Sequence, residues 1–121
     1  MNQDLNPGSM RYRVTLQQAT ITRSASGEET KTWNDVQRVP AAINFGSGRE
    51  FFNARTVNAD VTHLVDIWKY RGLGTDWRIR FDDPADGTTR YFDIRSIQPM
   101  GLMRLWTRLQ CRELVGREVQ T

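Results

Sequence analysis

Short segments of alternating apolar and polar residues, separated by closely spaced turn signals, constrain this chain more than any other feature of its sequence. The alternation is clearest at residues 12–17 and 77–82, where Tyr, Val, Leu, Trp, Ile and Phe take every second position. Clusters of Gly, Pro, Ser and Asp separate segments that are often about 8 to 14 residues long, a spacing typical of an all-β sandwich or barrel. Period-two alternation is typical of half-buried strands. The sequence therefore predicts a mainly β fold, a small antiparallel β-barrel or sandwich.

Two hairpins are predicted, one turning at residues 24–27 and the other at residues 82–88. Residues 61–68 fit helical and strand spacing alike, and their Val, Thr, Ile and Trp content favours a strand. A long final strand is predicted to begin near residue 103. Its apolar face carries Met103, Leu105, Thr107, Leu109 and Cys111, and its wet face carries Arg104, Trp106, Arg108, Gln110 and Arg112.

The length of 121 residues suits one domain of ordinary size. We assign residues 10–115 to the β-barrel domain, with a flexible extension at residues 1–9 and a flexible tail at residues 116–121. This division leaves no room for a second core.

Residues 46–60, called the excursion below, form a long stretch without strand-like periodicity. A loop of that length in a small domain is usually functional or disordered. Residues 49–55 can form a turn or two of helix within it, and Phe51 and Phe52 are residues that a solvated linker rarely carries. We therefore expect the excursion to contribute to function.

Groups suited to catalysis or metal binding are scarce. His63 and Cys111 are the sole histidine and the sole cysteine, so a zinc site lacks ligands and an internal disulfide lacks a second thiol. Cys111 lies on the apolar face of the last predicted strand, where a buried thiol is the common state. No apolar run approaches the roughly 18 residues that a membrane-spanning helix needs. We expect no enzyme, no cofactor or metal, and no membrane contact.

Arginine dominates the basic residues, with fifteen Arg against two Lys and a net charge of only +3. Arg is favoured in interfaces and at phosphates, although GC-rich coding sequence would produce the same bias. The wet strand faces offer a candidate channel or intersubunit face of Arg78, Arg80, Arg104, Trp106, Arg108 and Arg112. Such a face also fits binding of single-stranded nucleic acid, for which the net charge is small. The plainer alternative is a solvated face whose arginines pair with acids across strands.

Six short motifs follow one another along the chain. They are MRYRVTLQ at residues 10–17, ETKTWNDV at 29–36, SGREFF at 47–52, VTH at 61–63, YFDI at 91–94 and LQCRE at 109–113. In this order they resemble the motifs of bacteriophage head-tail joining proteins, also called head-closure, head-tail adaptor or stopper proteins. The resemblance covers residues 8–113. The chain departs from it in the extra residues 1–7 and in the hydrophobic character of residues 98–102.

The resemblance implies a small β-barrel that forms a homo-oligomeric ring, six-fold or twelve-fold, in the virion neck after assembly in the host cytoplasm. Such a ring lies below the portal or its adaptor, retains packaged DNA with only transient contact, and docks a tail protein. The candidate ring or partner interface then comprises Arg49, Glu50, Phe51, Phe52 and Arg55. Alternatively, the two phenylalanines cap the barrel's own core. Alternative functions are a tail-completion or tail-terminator ring protein and a small-barrel nucleic-acid-binding protein.

Overall fold

The alternating segments form six antiparallel strands that close into a barrel in the computed structural model, which describes residues 10–101 and 103–120. The elements are β1 (Tyr12–Arg23), β2 (Glu29–Asn44), α1 (Arg49–Val57), β3 (His63–Trp68), β4 (Arg78–Asp82), β5 (Thr89–Met100), β6 (Trp106–Leu114) and a 3-10 helix (Gly116–Gln120). Around the barrel the strand order is β1-β2-β3-β6-β5-β4, and β4 closes the ring against β1. The predicted β-barrel and both hairpins are confirmed, and the ambiguous segment before Lys69 is strand β3.

Inward-facing side chains from all six strands fill the barrel, and burial of this apolar surface supplies the main stabilisation. At one end Phe45, which follows β2, lies edge-on to the rings of Tyr12 at 5.8 Å and His63 at 5.6 Å and so caps the interior. The most deeply buried inward side chains, each at most 2% exposed, are Val14, Leu16, Ala41, Val65, Ile67, Ile79, Phe81, Phe92, Ile94, Leu109 and Cys111.

Strand β6 begins later than the sequence predicts. Gly101 and Arg104 have positive φ angles of 83° and 52°, so the chain turns here instead of continuing as a strand. The Arg104 N–H donates to the Gly101 carbonyl at 3.3 Å. Met103 and Leu105, predicted to lie on the apolar face, are consequently 75% and 58% exposed. The prediction was wrong for these two residues because side-chain alternation does not reveal a turn that interrupts the strand.

The outer halves of β1 and β2 extend beyond the barrel as a two-stranded ribbon, residues 18–36, called the ribbon below. In the part of the chain that the structure describes, β4 and β3 pair with β1 and β2 only nearer the barrel. A register shift between Leu16 and Gln17 marks the place where the ribbon leaves. Apart from the partly buried Ala19 and Trp33, the ribbon is exposed.

The 3-10 helix folds back onto the outside of the barrel, where the sequence predicts a flexible tail. Gly116, with a φ of 58°, reverses the chain after β6. The Val119 carbonyl then accepts a hydrogen bond from Arg78 Nη1 at 2.7 Å, and the Glu118 carboxylate pairs with Arg112. The extension predicted at residues 1–9 lies outside the described residues.

Candidate functional site

Helix α1 leaves the barrel between β2 and β3, within the excursion. Asn44 organises the preceding turn: its Oδ1 accepts from the N–H groups of Gly46 at 3.0 Å and Ser47 at 2.9 Å. Gly48 stands at the helix N-terminus with a φ of 88°, a left-handed conformation that favours glycine. Asn58 ends the helix in an extended conformation. The short helix predicted from the sequence is confirmed.

One side of α1 is docked on the protein by a small apolar cluster. Phe51 and Ala54, at 5% and 7% exposed, pack with Val61 and Leu64. Because Leu64 belongs to β3, the cluster joins the helix directly to the barrel wall. We call these four residues the helix cluster. It gives α1 a defined position on the barrel.

The other side of α1 faces outward. Phe52 and Val57 are 62% and 87% exposed, so two apolar side chains project from the helix. Of the predicted interface residues, Arg49, Glu50, Phe52 and Arg55 are exposed and Phe51 is buried. Phe51 therefore packs in the helix cluster, which is separate from the barrel core, and Phe52 does not.

A shallow groove of about 210 Å³ lies between α1 and the outer face of the barrel. Arg108, which lines it, donates from Nε and Nη2 to the two carboxylate oxygens of Asp66 at 2.9 and 3.1 Å. This bidentate contact raises the pKa of Arg108. The other groove residues are Glu50, Asn53, Ala54, Val57, Gln98 and Gln110. The groove is therefore polar on the barrel side and partly apolar on the helix side.

Arg78 is buried, although the alternation of β4 places it on the wet face. Arg78 is 6% exposed. Its guanidinium carbon lies between two rings, 4.5 Å from the centre of the Trp33 ring and 4.4 Å from the centre of the Tyr91 ring. Its Nε donates to Gln17 Oε1 at 2.7 Å, and burial lowers its pKa. The base of the ribbon covers this position, so Arg78 is a contact between ribbon and barrel rather than part of an open face.

The remaining residues of the candidate channel or intersubunit face differ among themselves in exposure and pairing. Trp106 is only 5% exposed, whereas Arg104 is exposed and makes no ion pair with a described residue. Three arginines are ion-paired: Arg80 with Asp35 at 2.9 Å, Arg108 with Asp66 at 2.9 Å, and Arg112 with Glu118. This outer surface therefore corresponds to the ion-paired alternative more than to an open basic stripe.

His63 and Cys111 are both buried in the barrel. The His63 ring lies 4.7 Å from that of Phe92, and burial lowers its pKa to about 4, so the ring is neutral at pH 7. Burial raises the pKa of the Cys111 thiol, which makes the nucleophilic thiolate scarce. Within residues 10–101 and 103–120, no group of His, Cys, Asp and Glu is arranged to hold a metal ion. Nor does that part of the chain contain a helix long and apolar enough to cross a membrane.

The sequence predicts the β1–β2 hairpin but not its projection from the barrel. The available signal is the distribution of threonines, because Thr20 pairs with Thr32 and Thr22 with Thr30 on one face. A strand pair without a continuous apolar face has nothing to bury against a core. The ribbon is thus the functional candidate that sequence reasoning missed.

The described part of the chain is a closed barrel with a docked helix, an ion-paired outer face and a buried thiol. The sequence profile of the phage head completion protein family matches residues 5–114, and the chain belongs to this family. The solution structure of protein SF1141 from Shigella flexneri 2a has a similar fold, with a TM-score of 0.69 and 25% sequence identity over 90% of this chain and 96% of that chain. No curated protein matches the sequence.

The family match confirms the resemblance to head-joining and head-closure proteins that the six motifs indicate. It supports a structural role in completing the phage head, and it implies that the protein is a component of the virion. The family is a structural protein family, which suggests a non-enzymatic role for the chain.

Proposed function

We propose that the protein closes the DNA-filled head as a ring in the phage neck, below the portal or its adaptor, and that this ring docks the tail. The observation that carries the proposal is the outward side of helix α1, on a member of the head completion family. Its exposed residues form the surface through which one subunit contacts a neighbour or the adaptor.

The outward side of α1 has the composition of a small interface. Phe52 and Val57 project from it, and Arg49 and Arg55 flank them. Exposed aromatic side chains with nearby Arg are enriched among residues that dominate binding energy. The helix cluster and the Asn44 hydrogen bonds hold this surface in place. Binding through the helix therefore costs less conformational entropy than binding through a mobile loop.

Ring formation compensates for the small contact area of one subunit. Each α1 offers only a few exposed apolar side chains, which is too little for tight binding of a single copy. In a closed ring every subunit makes the same contact, and a symmetric partner engages all copies at once. A net charge of +3 with paired outer arginines suits a channel that DNA passes without being held.

Charge reversal on the helix tests the interface. Arg49→Glu combined with Arg55→Glu alters exposed side chains and leaves Phe51 in the helix cluster, so the double variant retains the wild-type fold by circular dichroism. We expect it to lose ring assembly and yield few tailed, DNA-filled particles by electron microscopy. Normal assembly by the folded double variant contradicts the assignment.

A matched control applies the same change in charge at the far end of β3. Lys69→Glu with Arg71→Glu reverses two exposed basic residues there and leaves the helix untouched. We expect particle yields close to wild type. If the control lowers the particle yield as much as the helix variant does, the change in net charge causes the defect and the contact through α1 does not.

Particles that lack the protein separate head closure from the alternatives. Filled heads that leak DNA and carry no tails support head closure, whereas free tails of uncontrolled length indicate a tail terminator. A nucleic-acid-binding protein is recognised by titration with short single-stranded and duplex DNA near physiological salt. Micromolar affinity that falls steeply with added salt would favour that function.

A further inference from the structure

A second groove, of about 520 Å³, lies where the ribbon, the barrel and the 3-10 helix meet. Its residues come from the ribbon, the segment before β4, the barrel and the 3-10 helix, and they combine four cationic with three acidic side chains. The cationic ones are Lys31, Arg78, Arg112 and Arg117, the acidic ones are Asp76, Asp93 and Glu118, and Trp33 also lines the groove. We call it the terminal groove.

Arg78 gives the terminal groove a fixed cation. The Trp33 and Tyr91 rings hold its guanidinium on both sides, at 4.5 and 4.4 Å. Its described hydrogen bonds go to neutral oxygens, those of the Gln17 side chain and the Val119 carbonyl. It forms no ion pair with a described carboxylate. A buried cation of this kind is a preformed site for the oxygen atoms of a peptide segment.

The chain's own C-terminal segment occupies the groove in the single subunit. Glu118 pairs with Arg112, and the Val119 carbonyl accepts from Arg78 at 2.7 Å. None of residues 116–119 belongs to either apolar cluster of the described chain. Polar contacts hold the segment, and Gly116 with its φ of 58° stands at its start as a hinge.

The docked segment leaves two donors of the groove without acceptors. Trp33 Nε1 and Arg112 Nε are buried and have no hydrogen-bond partner among the described residues. Buried N–H groups are nearly always paired in native proteins. The groove therefore has more hydrogen-bonding capacity than the segment in this position uses.

We propose that in the assembled ring the C-terminal segment of one subunit occupies the terminal groove of the next. This inference rests on the ring of the proposed function. The occupant is a second copy of this chain because the groove already accepts this sequence, with an acid at Arg112 and a carbonyl at Arg78. The segment undocks by rotation at Gly116 and re-forms the same polar contacts on its neighbour.

Exchange of an identical element is a low-cost route to association, because the ion pair and hydrogen bond that break within one subunit form again between two subunits. Each subunit gives one segment and receives one, so the contact is head-to-tail and is compatible with a closed ring.

A charge-swap pair tests the exchange. Glu118→Arg and Arg112→Glu each place like charges at the contact, so each variant alone should lower the yield of tailed, DNA-filled particles by about tenfold or more. When both variants are co-expressed, the segment of either fits the groove of the other, and a ring of even order can alternate them. We expect co-expression to restore the yield.

Contact within one subunit gives a different pattern. In that case only the double variant Arg112→Glu with Glu118→Arg has a restored particle yield. Co-expression of the two single variants then leaves the yield low, and this result overturns the proposal. Normal yield from either folded single variant also overturns it. Failure of the proposed function is recognised separately, because particles that lack the whole protein would then still retain DNA and carry tails.

Discussion

Helix α1 and the ribbon both leave the barrel, yet they are attached to it in different ways. The helix is anchored by Phe51 and Ala54, which pack with Val61 and Leu64. The ribbon is held by its own backbone pairing and, at its base, by Arg78 between Trp33 and Tyr91.

The difference shows what each element can do. A helix with its own apolar cluster presents side chains in a fixed orientation, which suits a specific contact. A two-stranded ribbon is only marginally stable by itself in water, so it gains reach without a fixed position. The two elements therefore divide the outer surface into a rigid part and a compliant part.

The largest expected effect follows from the helix cluster. Phe51→Ala removes a buried ring and should lower the free energy of unfolding by about 3 kcal/mol, whereas Phe52→Ala should cost less than about 1 kcal/mol. Urea unfolding of both variants measures the difference. Equal losses of unfolding free energy in the two variants would mean that Phe51 does not anchor the helix more firmly than the exposed Phe52 does.

Acid should weaken the helix side before the ribbon. His63 packs against Phe45, the residue just before the excursion, and burial lowers its pKa from 6.5 to about 4. As the pH falls, His63 takes up a proton at a higher pH in the unfolded chain than in the folded protein. The stability contributed by the neutral, buried His63 is therefore complete above pH 6.5 and is lost as the pH falls towards 4. We expect a loss on the order of 1 to 2 kcal/mol between pH 7 and pH 5.

Hydrogen exchange at the two pH values locates that loss. Amides of α1 should exchange faster at pH 5 after correction for the intrinsic rate, and those of the ribbon should not. His63→Phe keeps an aromatic ring beside Phe45 and should remove most of the pH dependence in this range. Unchanged pH dependence in this variant would assign the effect to other groups.

A smaller effect is expected at the base of the ribbon. Asp35 accepts from Gln17 Nε2 at 2.7 Å and pairs with Arg80 at 2.9 Å, contacts that lower its pKa. Because the pair is partly exposed, Asp35→Ala should cost about 0.5 to 1 kcal/mol. The matched control is Asp82→Ala, whose 3.7 Å contact with the same arginine should contribute less. A larger cost for the control would contradict the role of Asp35 at the ribbon base.

The smallest effect is expected from shortening the ribbon. Replacing residues 21–31 by Asn-Gly joins the paired residues Thr20 and Thr32 by a two-residue turn. All of the removed residues are exposed, so the free energy of unfolding should change by less than about 0.5 kcal/mol. Thermal denaturation measures this change. A loss of several kcal/mol would show that the ribbon belongs to the core of the fold.

The sequence predicts well wherever local patterns decide the structure. Alternation identifies the inward residues of β1 and β4, and the absence of alternation identifies the excursion with its helix. These features depend on the spacing of neighbours along the chain, which a single sequence displays directly.

Prediction fails where residues distant in sequence decide the outcome. Arg78 occupies a polar strand position but is buried, because Trp33 and Tyr91 reach it from other strands. Met103 has an apolar position but is exposed, because the turn at Gly101 ends β5 and delays β6. The candidate arginines cannot be sorted into paired and open ones until the strand registers are known.

The buried position of Cys111 has a consequence for the life of the particle outside its host. A released virion meets oxidising surroundings, where exposed thiols would form disulfides. The Cys111 thiol is 0% exposed, and its raised pKa keeps it protonated. Oxidation therefore requires the barrel to open first, so the redox durability of the protein is set by its unfolding rate.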